Sequence, residues 1–213
     1  MEFCGTSAKR SSPKFAVVIY VTVPRPTHPS WAQRWVSMLR LRGVGKVYDA
    51  WASTPAPEVL VRFEFTKMTD EEAQEIAGWR YDPPYDFYDW VSDPEDLAEF
   101  LDPHRRGDDY FSAFDEKGAL VGSFQFKRDG KVVGVGLRLR PDLTGKGLGH
   151  GFLLAGLEFA RRSFSPGLFR LSVATFNERA IKVYEGVGFV QGRIYRHETN
   201  GGVYEFLEME RRA

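Results

Sequence analysis

Cysteine is nearly absent from this chain of 213 residues: Cys4 stands alone, which excludes an internal disulfide and any cysteine-rich zinc site. Net charge is absent too. Lys and Arg total 29, as do Asp and Glu, so nothing marks the whole chain as a polycation for nucleic acid or an anionic membrane. The longest apolar run, Phe15 to Val23, is nine residues, about half of the roughly 20 that a membrane-spanning helix needs. His28, His104, His150 and His197 are scattered, and no His, Cys or carboxylate cluster has ligand spacing, so no metal is expected. Internal repeats and low-complexity tracts are also missing. What is present is bulk: 43% apolar and 15% aromatic residues, far more than a disordered chain carries. The expectation is a soluble, cytoplasmic protein with no nucleic-acid or membrane partner.

The zero charge hides two unlike pieces. Residues 1–57 hold eight basic residues against Glu2 and Asp49, a net +6, so the remainder carries −6. Phe15–Val23 reads as a strand and Trp31–Leu41 shows some helical spacing, but Pro24, Pro26, Pro29, Pro55 and Pro57 interrupt the pattern. Residues 1–57 are therefore expected to be a poorly ordered basic extension. A small added subdomain or a targeting segment stay open, although no A-x-A-like cleavage site follows the apolar run.

From Val59 the pattern is regular. Val59–Phe65 ends in strict alternation, a strand with one buried face. Thr69-Asp70-Glu71-Glu72 supplies a capping-box start for a helix to about Trp79, and Pro94 suits the first turn of a second helix to Leu101. Strands are expected over Tyr110–Phe114, Ala119–Phe126 and Val132–Leu139, with turns at Asp115–Gly118 and Asp129-Gly130.

The most informative stretch follows. Val132–Leu139 runs into Thr144-Gly145-Lys146-Gly147-Leu148-Gly149-His150-Gly151, then a helix with Phe152, Ala155 and Phe159 on one face. Strand, glycine loop, helix aims backbone N–H groups and a helix N-terminus at an anion, and a pyrophosphate suits it. The spacing fits neither a P-loop, since Gly145-Lys146 is followed by Gly147, nor the dinucleotide fingerprint G-x-G-x-x-G. Downstream, Leu168–Ala174 reads as a strand, Asn177 as an N-cap, and Ala180, Val183, Tyr184 and Val187 as the apolar stripe of a helix stopped by Gly188. Taken alone, Tyr184 reads as a core tyrosine.

Together these segments resemble the GNAT family of N-acetyltransferases. Thr144 to Gly149 matches the family's [Q/R]-x-x-G-x-[G/A] loop except at its first position, and Asn177 to Phe189 looks like its N-x-x-A-x-x-[L/V]-Y-[E]-x-x-G-F run. The resemblance covers about 59–212. It implies an α/β (α+β) fold, with a mixed, mostly antiparallel central sheet, a splayed parallel pair at the cofactor gap and flanking helices. Residues 58–213 would then be the N-acetyltransferase domain. The cofactor implied is acetyl-CoA. Backbone groups of Leu137, Arg138 and Leu139 would line its pantetheine arm, Thr144, Gly145, Lys146, Gly147, Leu148, Gly149 and His150 its pyrophosphate, and Asn177 would contact it from the next helix.

By the same resemblance the reaction is direct acetyl transfer to a primary amine, a small cationic amine or a protein N-terminus, with Tyr184 as catalytic proton donor to the departing thiolate. The strand Val132–Leu139 lacks the glutamate some relatives use as base. Asp82, Asp86, Asp89 or a water chain remain for that role. A second reading, a non-catalytic acyl-CoA-binding regulator, stays open.

The resemblance puts the acceptor wall between the first two helices. Asp82 to Asp102 contains eight acids and no Lys or Arg, with Tyr81, Tyr85, Phe87, Tyr88 and Trp90 interleaved. Acids beside aromatic faces suit a cationic amine, and Tyr81, Asp82, Tyr85 and Asp86 are the substrate-binding candidates. Asn200-Gly201 marks a final hairpin, which in the family closes the acceptor site or builds a homodimer; Tyr195 and Tyr204 lie on it.

Overall fold

The computed structural model describes residues 15–22 and 58–213, with side chains for 62–213. Cys4, His28 and the Trp31–Leu41 spacing lie outside the described residues, as does most of the expected extension. Arg62–Ala213 fall within one compact unit.

Eight strands form one sheet: β1 (Phe15–Thr22), β2 (Glu58–Lys67), β3 (Tyr110–Phe114), β4 (Leu120–Asp129), β5 (Val132–Leu139), β6 (Leu168–Ala174), β7 (Val190–Thr199) and β8 (Gly202–Arg212). Their order is β1-β2-β3-β4-β5-β6-β8-β7. From β2 onward every neighbouring pair is antiparallel except β5 and β6. The helices are α1 (Asp70–Ala77), α2 (Pro94–Leu101), α3 (Pro103–Arg106), α4 (Gly149–Phe164) and α5 (Glu178–Gly186). The fold is the mixed, mostly antiparallel α/β arrangement that the sequence led us to expect.

Local chemistry explains the boundaries. Thr69 Oγ1 accepts the Glu72 N–H at 3.3 Å while the Glu72 carboxylate accepts the Thr69 N–H at 2.9 Å, the reciprocal box that starts α1. Asp93 accepts the N–H groups of Glu95 and Asp96 and so starts α2 at Pro94.

The sheet carries a helical layer on each face. One face of β2, β3 and β4 sends Phe63, Phe65, Phe111, Phe124 and Phe126 against Phe152 and Phe159 of α4, all of them buried. Phe65 and Phe159 stack with centroids 4.9 Å apart, and Phe63 meets Phe152 edge-on at 5.4 Å. On the other side Ala73, Ile76 and Trp79 pack with Phe100 and Leu120. A partly buried polar contact crosses that layer, from the buried Ser112 Oγ to the Glu72 carboxylate at 2.7 Å.

The parallel pair is short. It spans only Val132↔Leu168, Val133↔Phe169 and Gly134↔Arg170. Beyond Gly134, β5 stays paired with β4 to Leu139, while β6 stays paired with β8 to Ala174. The two strands therefore part company, and the sheet opens between Leu137–Leu139 on one lip and Leu171–Ala174 on the other.

Candidate active site

At the end of β5 the chain turns through Pro141–Leu143 into the glycine loop. Arg140 fixes this turn, donating from Nη1 to the Leu120 carbonyl at 2.7 Å and pairing with Asp142. Thr144 donates its hydroxyl to the Pro141 carbonyl at 2.8 Å, so its side chain serves the loop itself. Gly145 and Gly147 adopt φ of +72° and +78°, the left-handed region that favours glycine, and a Cβ on either would project into open space. Lys146 is exposed and Leu148 half-buried. No side chain caps α4 at Leu148. Among the described residues, no backbone N–H from Gly145 to Gly151 has an acceptor. A run of free donors at the positive end of a 16-residue helix is suited to a pyrophosphate. His150 Nε2 lies 3.2 Å from the Gly186 carbonyl, which joins the mouth of α4 to the end of α5.

The opposite lip is set by Asn177. Its side chain accepts the Ala180 N–H at 3.1 Å and is buried, the cap that the sequence implied. Cap and helical period put Val183, Tyr184 and Val187 on the inward stripe; Val187 is buried, and Ala180, Val183 and Tyr184 are half-buried. Tyr184 is thus half-buried on the inward stripe rather than enclosed in the core. Desolvation, then the nearby Tyr88 phenol, pushes its pKa well above the ordinary value near 10, so the hydroxyl keeps its proton at neutral pH.

The residues between α1 and α2 bind both lips. Arg138 donates from Nη1 to the Tyr88 carbonyl and lies over the Trp90 ring, 4.0 Å from its centroid. The phenol oxygen of Tyr88 accepts the Ala174 N–H at 3.3 Å. Desolvation raises the Tyr88 pKa; Asn177, Ala174 and Arg138 oppose that rise. Tyr81 donates its hydroxyl to the Leu139 carbonyl at 2.9 Å. Sequence reasoning had only the backbone of Leu137, Arg138 and Leu139 in view and left Tyr88 out of the site.

The acids divide. Asp89 is buried, accepts the Tyr81 N–H at 3.0 Å and pairs with Arg80 at 3.9 Å. Asp93 caps α2 and Asp102 caps α3, while Glu99 pairs with Arg105. Asp82 and Asp86 are exposed. Tyr85 is half-buried under the Arg179 guanidinium, 3.9 Å from its ring centroid. The final hairpin reaches the same segment: Asn200 Nδ2 donates to the Phe87 carbonyl at 2.8 Å, and Tyr204 packs edge-on against the Phe87 ring. Tyr195 instead donates to Ser172 Oγ of β6 at 2.9 Å. A concavity lined by Leu168, Gly188, Val190, Glu210, Arg211 and Arg212 lies at the far end of β6 from the opening and is apart from these groups.

Residues 62–190 match the model of the acetyltransferase (GNAT) domain. That is more than half of the chain. The chain belongs to the GNAT acetyltransferase family. Solved structures agree on the fold of this GNAT domain. An acetyltransferase of the GNAT family from Bacillus anthracis is 15% identical with a TM-score of 0.58, over 70% of this chain and 94% of that one. Spermidine N-acetyltransferase from Vibrio cholerae, solved in complex with CoA and spermine, is 18% identical with a TM-score of 0.57, over 70% and 95%. No curated protein sequence matches the chain. Among the described residues, no helix is long and apolar enough to cross a membrane.

Proposed function

We propose that this GNAT domain is an N-acetyltransferase that moves an acetyl group from acetyl-CoA to a primary amine by direct transfer. One observation carries the reading: the parallel pair β5/β6 ends at Gly134 and Arg170, with the free N–H run of Gly145–Gly151 beside one lip and the Tyr184 stripe beside the other.

Acetyl-CoA supplies an acetyl group activated as a thioester. Around it, the N–H groups from Gly145 to His150 would hold the pyrophosphate, and the open space at the Gly145 and Gly147 Cβ positions leaves room for it. The backbone of Leu137, Arg138 and Leu139 would run beside the pantetheine arm, and a free N–H there would polarise the thioester carbonyl. Asn177 would contact the cofactor from the start of α5. Tyr184 holds its proton on Oη at neutral pH and would deliver it to the departing sulfur. The attacking amine must be neutral, and Asp82 or Asp86, both exposed, would pass its proton to solvent. The lack of a carboxylate on β5 is what favours the rival reading, an acyl-CoA-binding regulator. Slow release of CoA thiol from acetyl-CoA with pooled polyamines, amino sugars and peptides decides between them: release above the acceptor-free rate supports the enzyme, and tight binding without release supports the regulator.

The domain boundary and the assembly belong to the same proposal. The family match begins at residue 62, and a chain starting at Pro57 keeps every described element except β1. It should bind acetyl-CoA as the whole chain does, and a loss of binding would make residues 1–57 part of the site. A homodimer is supported by Val190 and Ile194 of the edge strand β7, 71% and 60% exposed, and light scattering checks it.

A further inference from the structure

We infer that the acceptor carries a carboxylate as well as its amine, and that the Arg138 guanidinium is the group that recognises it. The inference rests on the acetyltransferase reading and names the substrate class of that same site.

Register fixes the direction of the side chain. Arg138 pairs with Ser123 of β4, which pairs with Ser112 of β3. Ser112 contacts Glu72 of α1, so this row faces the α1 and α2 side of the sheet, the side on which residues 81–92 stand. Arg138 also lies beyond the last β5/β6 pair, on the lip of the opening. A guanidinium at this point would border the path of an acceptor toward acetyl-CoA held between the lips.

The surroundings hold donors in excess. Arg138 forms no ion pair within 4.0 Å among the described residues; of its five N–H donors it uses Nη1 on the Tyr88 carbonyl and meets the Tyr81 phenol, which leaves donors to spare. Desolvation lowers its pKa; the phenols of Tyr81 and Tyr110, then Asp89 and Asp96, only partly offset that. Asp89 is already committed to Arg80 and the Tyr81 N–H, and Asp96 is exposed. Trp90, sandwiched between Arg138 and the Phe100 ring, adds a buried Nε1–H with no acceptor among the described residues. A desolvated cation beside an unanswered indole N–H disfavours a polycationic guest and favours an anionic one. The planar fork of a guanidinium matches a carboxylate. Of the acids in this stretch, Asp89, Asp93, Glu99 and Asp102 are used in capping and pairing, and Asp82, Asp86, Glu95 and Asp96 stand exposed to take the amine end of the same acceptor.

The test uses the full chain, acetyl-CoA and matched acceptors: phenylalanine, phenethylamine and phenylalaninamide; histidine and histamine; lysine and cadaverine; with spermidine as the polycation. A hydrogen bond to a charged group is worth enough that the free acid should exceed its decarboxylated partner in kcat/KM by about tenfold or more. It should also exceed the amide, whose amine is less basic, so that basicity cannot imitate the effect. In Arg138→Lys the charge stays but the fork is lost, and the ratio should fall to within about threefold. If that variant does not fold, the wild-type comparison still decides. Equal or better turnover of the decarboxylated amines or spermidine overturns the inference, as does turnover of none of the acids. The acetyltransferase reading fails separately, by absence of acetyl-CoA binding in calorimetry.

Discussion

The phenol oxygen of Tyr88 and the backbone N–H of Ala174 meet at 3.3 Å across 86 residues of sequence. The carbonyl of the same tyrosine takes the Arg138 guanidinium. One residue thus touches the free ends of both parted strands. The wall between α1 and α2 is thereby tied to the opening it borders, so a change in that wall should be felt at both lips.

Tyr88→Phe isolates the first of these ties. The ring still packs edge-on against Phe87 at 5.1 Å, and the carbonyl still serves Arg138. Only the hydroxyl is lost, and with it the Ala174 N–H bond and the contact with the Asn177 side chain. The cost should be about 1 kcal/mol in urea unfolding. A midpoint unchanged within error would show that the Tyr88 hydroxyl and its bonds to Ala174 and Asn177 contribute nothing.

Gly122→Ala tests the close approach under the same strand. A Cβ at Gly122 would lie 2.3 Å from the Phe152 ring and 2.6 Å from the Arg138 carbonyl. The ring has little room in the α4 layer, and a backbone carbonyl cannot swing aside. Overpacking of this kind costs about 1–3 kcal/mol. Because the displaced atom belongs to Arg138, acceptor KM should rise along with the loss of stability. A variant as stable as the parent would mean the layer opens freely at this point.

Much of this architecture is legible locally. The bounds of β5 and β6 follow from apolar runs bracketed by turn residues, and α5 from Asn177 and its stripe. Thr69 and Glu72 announce α1 three residues apart. These signals act over one or two helical turns, so a linear reading can find them. Arg138 and Tyr88 are different. Their partners are 50 and 86 residues away, and nothing within a few residues of either announces the contact. The acid-rich stretch divides in the same way: Asp93 and Asp102 are each held by the helix they start, whereas Asp82 and Asp86 are exposed. A composition count cannot separate a capping carboxylate from one that faces a ligand.

Gly147→Val addresses the loop. At φ +78° a β-branched residue is strained, and its side chain would enter the open space where a phosphate would sit. Acetyl-CoA affinity should fall at least tenfold, about 1.4 kcal/mol, by calorimetry. Unchanged affinity with the fold intact by circular dichroism would remove the loop from the binding site.

Tyr184→Phe is the sharpest test of the chemistry. The ring remains beside Phe189, 6.2 Å between centroids, so packing changes little. Positioned acid catalysis contributes about 10²–10⁴-fold, so kcat should drop by about 100-fold or more while acetyl-CoA affinity stays within about threefold. The pH profile adds a second readout. A pKa raised by burial means that the hydroxyl is still protonated wherever a free phenol would be, so Tyr184 should impose no alkaline fall in kcat below about pH 10. The rise of rate with pH would then belong to the acceptor amine losing its own proton. An alkaline fall near pH 8 that vanishes in Tyr184→Phe would mean that the phenol ionises early, as a base would. A loss of under fivefold, with chemistry shown to be rate-limiting, would make Tyr184 a packing residue and leave water as the donor to the thiolate.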